Sequence, residues 1–190
     1  MNRSQLEHII RASAAILATD QFVIVGSQSI LGTYPEATGT FAESVEADLY
    51  PMDTPGNAEI LSATIGEESH FHSTFGVYAD GVSEETSILP AGWRDRLVKV
   101  QNENTAGAIG WCLDPTDLAI AKHIAGREKD NLFTAAMAQH GMIDESAFIE
   151  RLETVDLPPE HRERVLRRFT AQTAAAGPRT DPTDPAECTA

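Results

Sequence analysis

The sequence predicts an α/β fold of the α+β kind: a small mixed sheet flanked by helices, with a helical extension toward the C-terminal end. Three observations carry this. Short apolar or β-branched runs of strand length recur through the first part of the chain, at 21–25, 45–50, 77–80, 94–100 and 108–113. An apolar pattern at helical spacing precedes the first of them. From Asp114 onward the pattern is helical, until a Pro-, Thr- and Asp-rich tail begins at Gly177. The expected division is a core over residues 1–113, a helical extension over 114–176 that completes the site, and a disordered tail over 177–190.

Taken in order, Ser4 and Glu7 have the spacing of a capping box, so a helix is expected over 5–18 with Leu6, Ile9, Ile10, Ala14 and Leu17 on its buried face. The strand at 21–25 follows after a short connection, and the helix should pack on it. Gly26 and Ser27 open a turn into a short helix over about 28–33, whose first amides point back at the turn. In the strand at 45–50, Glu46 and Asp48 are two residues apart and project from one face. The stretch at 58–65 reads as helix, because Ile60, Leu61, Thr64 and Ile65 fall three and four apart.

His70 and His72 are expected on a strand face or in a loop, ahead of a strand at 77–80 that ends in an Asp80-Gly81 turn. Strands at 94–100 and 108–113 then complete the sheet. Asp114 caps the next helix, with Pro115 in its first turn. That helix carries Lys122 among Ala119, Ile120, Ala121, Ile124 and Ala125, and Gly126 is placed to break it. Three further amphipathic helices follow. The first has Leu132, Phe133, Ala136 and Met137 inside and Gly141 at its end. The second buries Phe148, Ile149, Leu152 and Val155 after a cap at Asp144 or Ser146. The third starts at Pro158-Pro159 and buries Val165, Leu166 and Phe169, while Arg162, Arg164, Arg167 and Arg168 form a basic face opposite.

Composition narrows the functional classes. The 190 residues carry a formal charge of −15. Nucleic-acid backbones are bound by Lys and Arg, so this balance argues against general DNA binding and leaves room only for a local basic site. No apolar run reaches the roughly 18 residues of a membrane span, and no signal-peptide pattern opens the chain, so a cytoplasmic protein is expected. Cys112 and Cys188 are too few and too far apart to suggest a disulfide framework or a zinc site.

Several residues carry chemistry. Adjacent carboxylates repel, so Glu46 and Asp48 are either solvated at an edge or neutralised by a divalent cation, which takes hard oxygen ligands. The Gly26-Ser27 turn offers backbone amides to an anion, and such a turn is also an ordinary helix cap. Lys122 in its apolar setting needs an anion, which a triphosphate would provide. On a continuous helix Lys122 and Asp130 would stand about 12 Å apart, so contact between them requires a break at Gly126. Asp80 is either a third carboxylate at a strand end or the first residue of a turn. The His70-x-His72 pair invites a metal, nucleotide or acceptor contact.

The Gly26-Ser27 turn followed by the Glu46-x-Asp48 strand resembles the nucleotidyltransferase superfamily to which polymerase β belongs. The string from Leu113 to Lys122, with Ala125, Gly126, Arg127 and Asp130 after it, resembles the AbiEii-type nucleotidyltransferase-like proteins, the toxin halves of certain bacterial toxin–antitoxin pairs. The likeness spans roughly residues 20 to 140. It departs from the pattern at Glu46, where the family usually has Asp, and in the longer spacing from the turn to the carboxylates.

The resemblance implies transfer of a nucleoside monophosphate from an NTP to an acceptor hydroxyl. Gly26, Ser27 and Arg127 would hold the nucleotide, and Glu46 and Asp48 would hold Mg²⁺. Asp48, Lys122, Asp80 and Asp130 would carry catalysis, with Asp80 or Asp130 assisting the acceptor. Implied partners are the nucleotide, a tRNA end or an antitoxin protein. Two rival readings remain: a catalytically silent nucleotide- or partner-binding relative, and a metal-dependent hydrolase built on His70, His72 and Asp80.

Overall fold

The computed structural model describes residues 1–176, so the expected tail at 177–190 lies outside the described residues. Helix α1 (Arg3–Leu17) leads into β1 (Gln21–Ile24), and a single-turn α2 (Ile30–Thr33) precedes β2 (Glu46–Pro51). Helices α3 (Glu59–Ile65) and α4 (His70–Phe75) cross to β3 (Tyr78–Gly81), followed by β4 (Val98–Val100) and β5 (Ile109–Cys112). Helices α5 (Pro115–Ala125), α6 (Glu128–Gln139), α7 (Glu145–Leu152) and α8 (Pro159–Ala175) complete the chain as described. The fold class is the predicted one: a five-stranded mixed sheet with helices around it.

The strand order is β3-β2-β1-β5-β4. β1 pairs antiparallel with β2 and parallel with β5, and β2 pairs parallel with β3. A strand at the centre of a covered sheet must be apolar on both faces, and Phe22, Val23 and Ile24 are all buried. The parallel register sets Asp48 opposite Asp80. In a parallel pair, residues in register point the same way, so both carboxylates leave one face of the sheet.

Several local expectations are corrected. Ser4 does not cap α1. Asn2 does, accepting from Gln5 N while the Gln5 side chain accepts from Asn2 N. Glu7 is thereby free of capping and lies buried, where it accepts from Arg3, Asn102 and Asn104 and ties α1 to the loop before β5. His70 and His72 stand on α4 and not on a strand or loop, because Ser69 caps that turn through His72 N and Gly76, at φ 69°, ends it. Gly81 pairs with Leu49 inside β3 and is not a turn residue. Residues 93–96 form a 3₁₀ turn and β4 starts only at Val98, since Arg94 and Arg96 are drawn off by Glu84 and Asp117.

Helix α5 is the hub of the helical layer. Asp114 caps it by accepting from Thr116 N and Asp117 N, as the sequence indicates. The buried carboxylate of Asp117 on its first turn takes Arg96 Nε at 2.8 Å and Arg151 Nη1 at 3.0 Å, fastening the segment after β3 and the end of α7 to one point. The apolar core is continuous from the sheet through α5 to Phe148, Leu152, Val165 and Phe169. The expected basic face of α8 is partly used internally: Arg168 donates to His123 O and Arg162 to Val155 O. Among the described residues no helix is long and apolar enough to cross a membrane.

Candidate active site

A cleft of about 780 Å³ opens where the sheet edge meets α5 and α6. Its floor is the end of β1 with the turn after it, Val25, Gly26 and Ser27, and the acidic face of β2 and β3, Glu46, Asp48 and Asp80. Carboxylate oxygens of Glu46, Asp48 and Asp80 lie within 4.8 Å of one another. Among the described residues this is the one group of three or more potential ligands so gathered, and it does not include His70 or His72. His72 instead accepts from Glu68 N at 3.2 Å and packs its ring on Tyr78.

The third carboxylate is thus Asp80 by position. Ser62 on α3 orients it, donating to Asp80 Oδ1 at 2.8 Å while accepting from Gly81 N at 2.7 Å. The sequence carries no signal for Ser62, since a helical serine separated from Asp80 by a further helix announces no partner.

Gly26 is required by contact. A Cβ there would sit 1.6 Å from Asp48 Oδ2, so the backbone of the turn lies directly against the central carboxylate. Replacing Gly26 with Ala is expected to lower stability by about 1–3 kcal/mol through overpacking and to weaken divalent-metal binding by displacing Asp48. Thermal melts together with a Mn²⁺ titration check this, and an Ala variant with unaltered metal affinity would contradict the geometry.

Opposite the carboxylates, the left-handed Gly126, at φ 64°, ends α5 and lets α6 turn back. The break brings Lys122 Nζ to 3.1 Å from Asp130 Oδ1 and 3.3 Å from Ser27 Oγ, above the ring of Phe133. Arg127 Nε reaches Asp130 Oδ2 at 2.6 Å. Burial pulls the Lys122 ammonium below its ordinary range and outweighs the attraction of Asp130. Burial would also raise Asp130, but Arg127 and Lys122 together hold it below the usual carboxylate range. Lys129, in the first turn of α6, also lines the cleft, and its charge acts on Glu46 and Asp48. The sequence reading missed it, because a lysine beside Arg127 and Glu128 looks like part of a solvated turn.

The acidic cluster is under electrostatic load. Burial, and then the negative charge of Asp80, push Asp48 above its ordinary range, against the opposing pull of Lys122, Lys129 and Arg127. Burial, then Asp48 and Asp80, raise Glu46 likewise. Three converging carboxylate oxygens, with their repulsion uncompensated at close range, fit a hard divalent cation. Groups whose pKa is raised on folding stabilise the fold when protonated, and that stability is lost as pH rises through the raised values. A divalent cation bound between these oxygens at neutral pH would do what protons do in acid. Millimolar Mg²⁺ or Mn²⁺ should therefore raise the melting temperature at pH 7.5 and do so progressively less toward pH about 5, where protons compete for the same oxygens. A pH-independent metal effect would place the ion elsewhere.

The glycine–serine turn at the end of the central strand β1 lies beside carboxylates on β2 and β3, in a mixed sheet of nucleotidyltransferase-like fold. The chain belongs to the family described as "Nucleotidyltransferase of unknown function (DUF6036)", which matches residues 4–166. Neither the curated proteins nor the solved structures give a match to it.

Proposed function

We propose that the protein is a Mg²⁺-dependent nucleotidyltransferase that moves a nucleoside monophosphate from an NTP to an acceptor hydroxyl. The observation that carries this is the convergence of Glu46, Asp48 and Asp80 opposite a Gly26-Ser27 turn that Lys122 touches. Glu46, Asp48 and Asp80 would hold Mg²⁺, whose positive charge would offset the negative charge that develops during in-line displacement.

The remaining roles belong to the chain. Gly26 and Ser27, half-buried on the cleft floor, receive the phosphates, and Lys122, Arg127 and Lys129 supply positive charge on the leaving-group side. Asp130 holds Lys122 and Arg127 in place, a positioning role. Asp80, steadied by Ser62, accepts the proton of the attacking hydroxyl. The hydroxyl oxygen bonds to the α-phosphorus as the bond to the bridging oxygen breaks and pyrophosphate leaves.

Incubation of the protein with each α-labelled NTP, Mg²⁺ and a cell extract tests the reading. Label should move to an acceptor in wild type and not in Asp48→Ala. Binding of Mg²⁺·NTP without any transfer would support the catalytically silent alternative instead. The likeness to AbiEii-type toxins extends the proposal to a cytoplasmic toxin neutralised by an antitoxin protein. Growth arrest on expression, relieved by a co-expressed neighbouring partner and absent with Asp48→Ala, is the expected result of that extension.

A further inference from the structure

Lys122 and Asp130 belong to different helices, the first in the last turn of α5 and the second in the first turn of α6. Their 3.1 Å contact therefore depends on how α6 is set on α5. The link between the two helices is Gly126 and Arg127 alone, and a glycine at φ 64° leaves the backbone free to turn there. Something beyond the link must fix the angle.

Helix α8 carries a side chain that spans the junction. The Gln172 amide donates from Nε2 to Asn131 O at 3.0 Å, which turns its Oε1 toward His123 Nε2, also at 3.0 Å. One amide thus joins α6 to α5, and it does so at the chain neighbours of Asp130 and Lys122. His123 is 1% exposed and its Nδ1 lies 2.8 Å from Ala119 O, so the ring is itself held fast on α5. One turn back on α8, Arg168 donates from Nη1 to His123 O at 3.0 Å, and a Cβ on Gly126 would come within 2.5 Å of that nitrogen. The break in the chain and the residues on either side of it are all backed by α8.

We infer that Gln172 is a positioning residue for the cationic part of the cleft: by bracing α6 on α5 it sets Asp130 and Arg127 relative to Lys122, and so shapes the site that takes the phosphate chain. The inference rests on the nucleotidyltransferase reading above for the identity of that ligand. Gln172 does not line the cleft, so its effect travels through the two helices. Lys122 and Arg127 share the one carboxylate of Asp130, and a swing of α6 moves the anchor of both cations together. A displacement of about 1 Å can cost roughly 10²-fold in a positioned site, so a brace outside the cleft is felt inside it. Docking of α8 does not need the amide, because Val165 and Phe169 are already buried under that helix.

Two measurements on the full chain test it. In the first, calorimetry reads the binding of pyrophosphate in the presence of Mg²⁺. Gln172→Met, which keeps the length of the side chain and removes both hydrogen bonds, should weaken that binding about fivefold or more. Gln172→Asn, which keeps the amide but falls short of the span, should do the same. Val165→Ala opens a cavity under α8 and lowers stability, yet should leave the affinity within about twofold. In the second, urea melts of Lys122→Met, Asp130→Asn and their double are made with and without Gln172→Met. The coupling between the two positions should fall by about half or more once the brace is gone. Unchanged coupling, or unchanged pyrophosphate affinity in both Gln172 variants, overturns the positioning role. An equal loss of affinity in Val165→Ala also overturns it, because general loosening of α8 would then account for the effect. If the wild type binds no pyrophosphate, the nucleotidyltransferase reading falls, and the coupling, which needs no ligand, still decides whether Gln172 sets the pair.

Discussion

Replacing Asp48 with Asn should cut nucleotide transfer by roughly 10³-fold or more while raising the melting temperature of the metal-free protein. The first effect follows from losing the central carboxylate of a cluster whose proposed cation would contribute on the order of several kcal/mol in the transition state, at a factor of ten per roughly 1.36 kcal/mol. The second follows from the load on the cluster. Burial, then Asp80, with Glu46 alongside, work against the charge of Asp48 and outweigh the pull of Lys122, Lys129 and Arg127. An isosteric neutral amide removes that repulsion without opening a cavity. Each kcal/mol so relieved corresponds to about 2–4 °C for a chain of this size. The gain should be largest at neutral pH and shrink in acid, where the carboxylate is protonated in any case. Melts of wild type and variant in EDTA across that range decide the matter. A variant that melts lower than wild type at pH 7.5 would show that Asp48 stabilises the fold by contacts of its own.

Asp130→Ala should have the opposite thermal effect, a loss of about 3–5 kcal/mol, because it strands a buried ammonium. Lys122 is 8% exposed and rests on the Phe133 ring, and Asp130 is the carboxylate bonded to it. Ser27 Oγ at 3.3 Å is a weak substitute. The low pKa of Asp130 adds a pH signature: its contribution is present above the ordinary carboxylate pKa and disappears as pH falls through the lower, folded value. Removing both charges should reverse most of the loss, since a methionine at 122 and a leucine at 130 would fill the same volume with apolar groups. That double variant should be nearly as stable as wild type and inactive. Urea melts of the two single variants and the double measure the coupling, and additivity would mean that the pair is not a unit.

What the sequence made legible was what local chemistry controls. The Asp114-Pro115 start of α5, the Gly126 break and the caps at Asp144 and Gly141 are each set by one or two residues whose backbone preferences outweigh their surroundings. Once Gly126 was read as a break, the approach of Lys122 to Asp130 followed from helix geometry. Choosing between Asp80 and Asp130 as partner of the carboxylate strand was different. It depends on which strand lies beside β2, and the parallel pairing with β3 is made across two intervening helices. No local signal reports such a pairing. His70 and His72 misled for a related reason: alternation suggests a strand, but Ser69 and Gly76 bracket a single helical turn, and capping decided it. Ser62 and Lys129 were invisible because their importance comes entirely from what the fold brings beside them.

The parallel pairing that sets Asp48 opposite Asp80 also makes assembly unforgiving. A slip of one residue between β2 and β3 would carry Asp80 to the far face of the sheet and put its neighbour in its place. Small Ala47 and Ala79, buried on the other side of these strands, offer little bulk to resist such a slip. The Ser62 clasp on Asp80 and Gly81 therefore acts as a register pin: it is made only when the edge strand has docked in the alignment that gathers Glu46, Asp48 and Asp80. Ser62→Ala molecules would then be a mixed population, folded alike in the helical layer but divided between chains that can and cannot capture the ion.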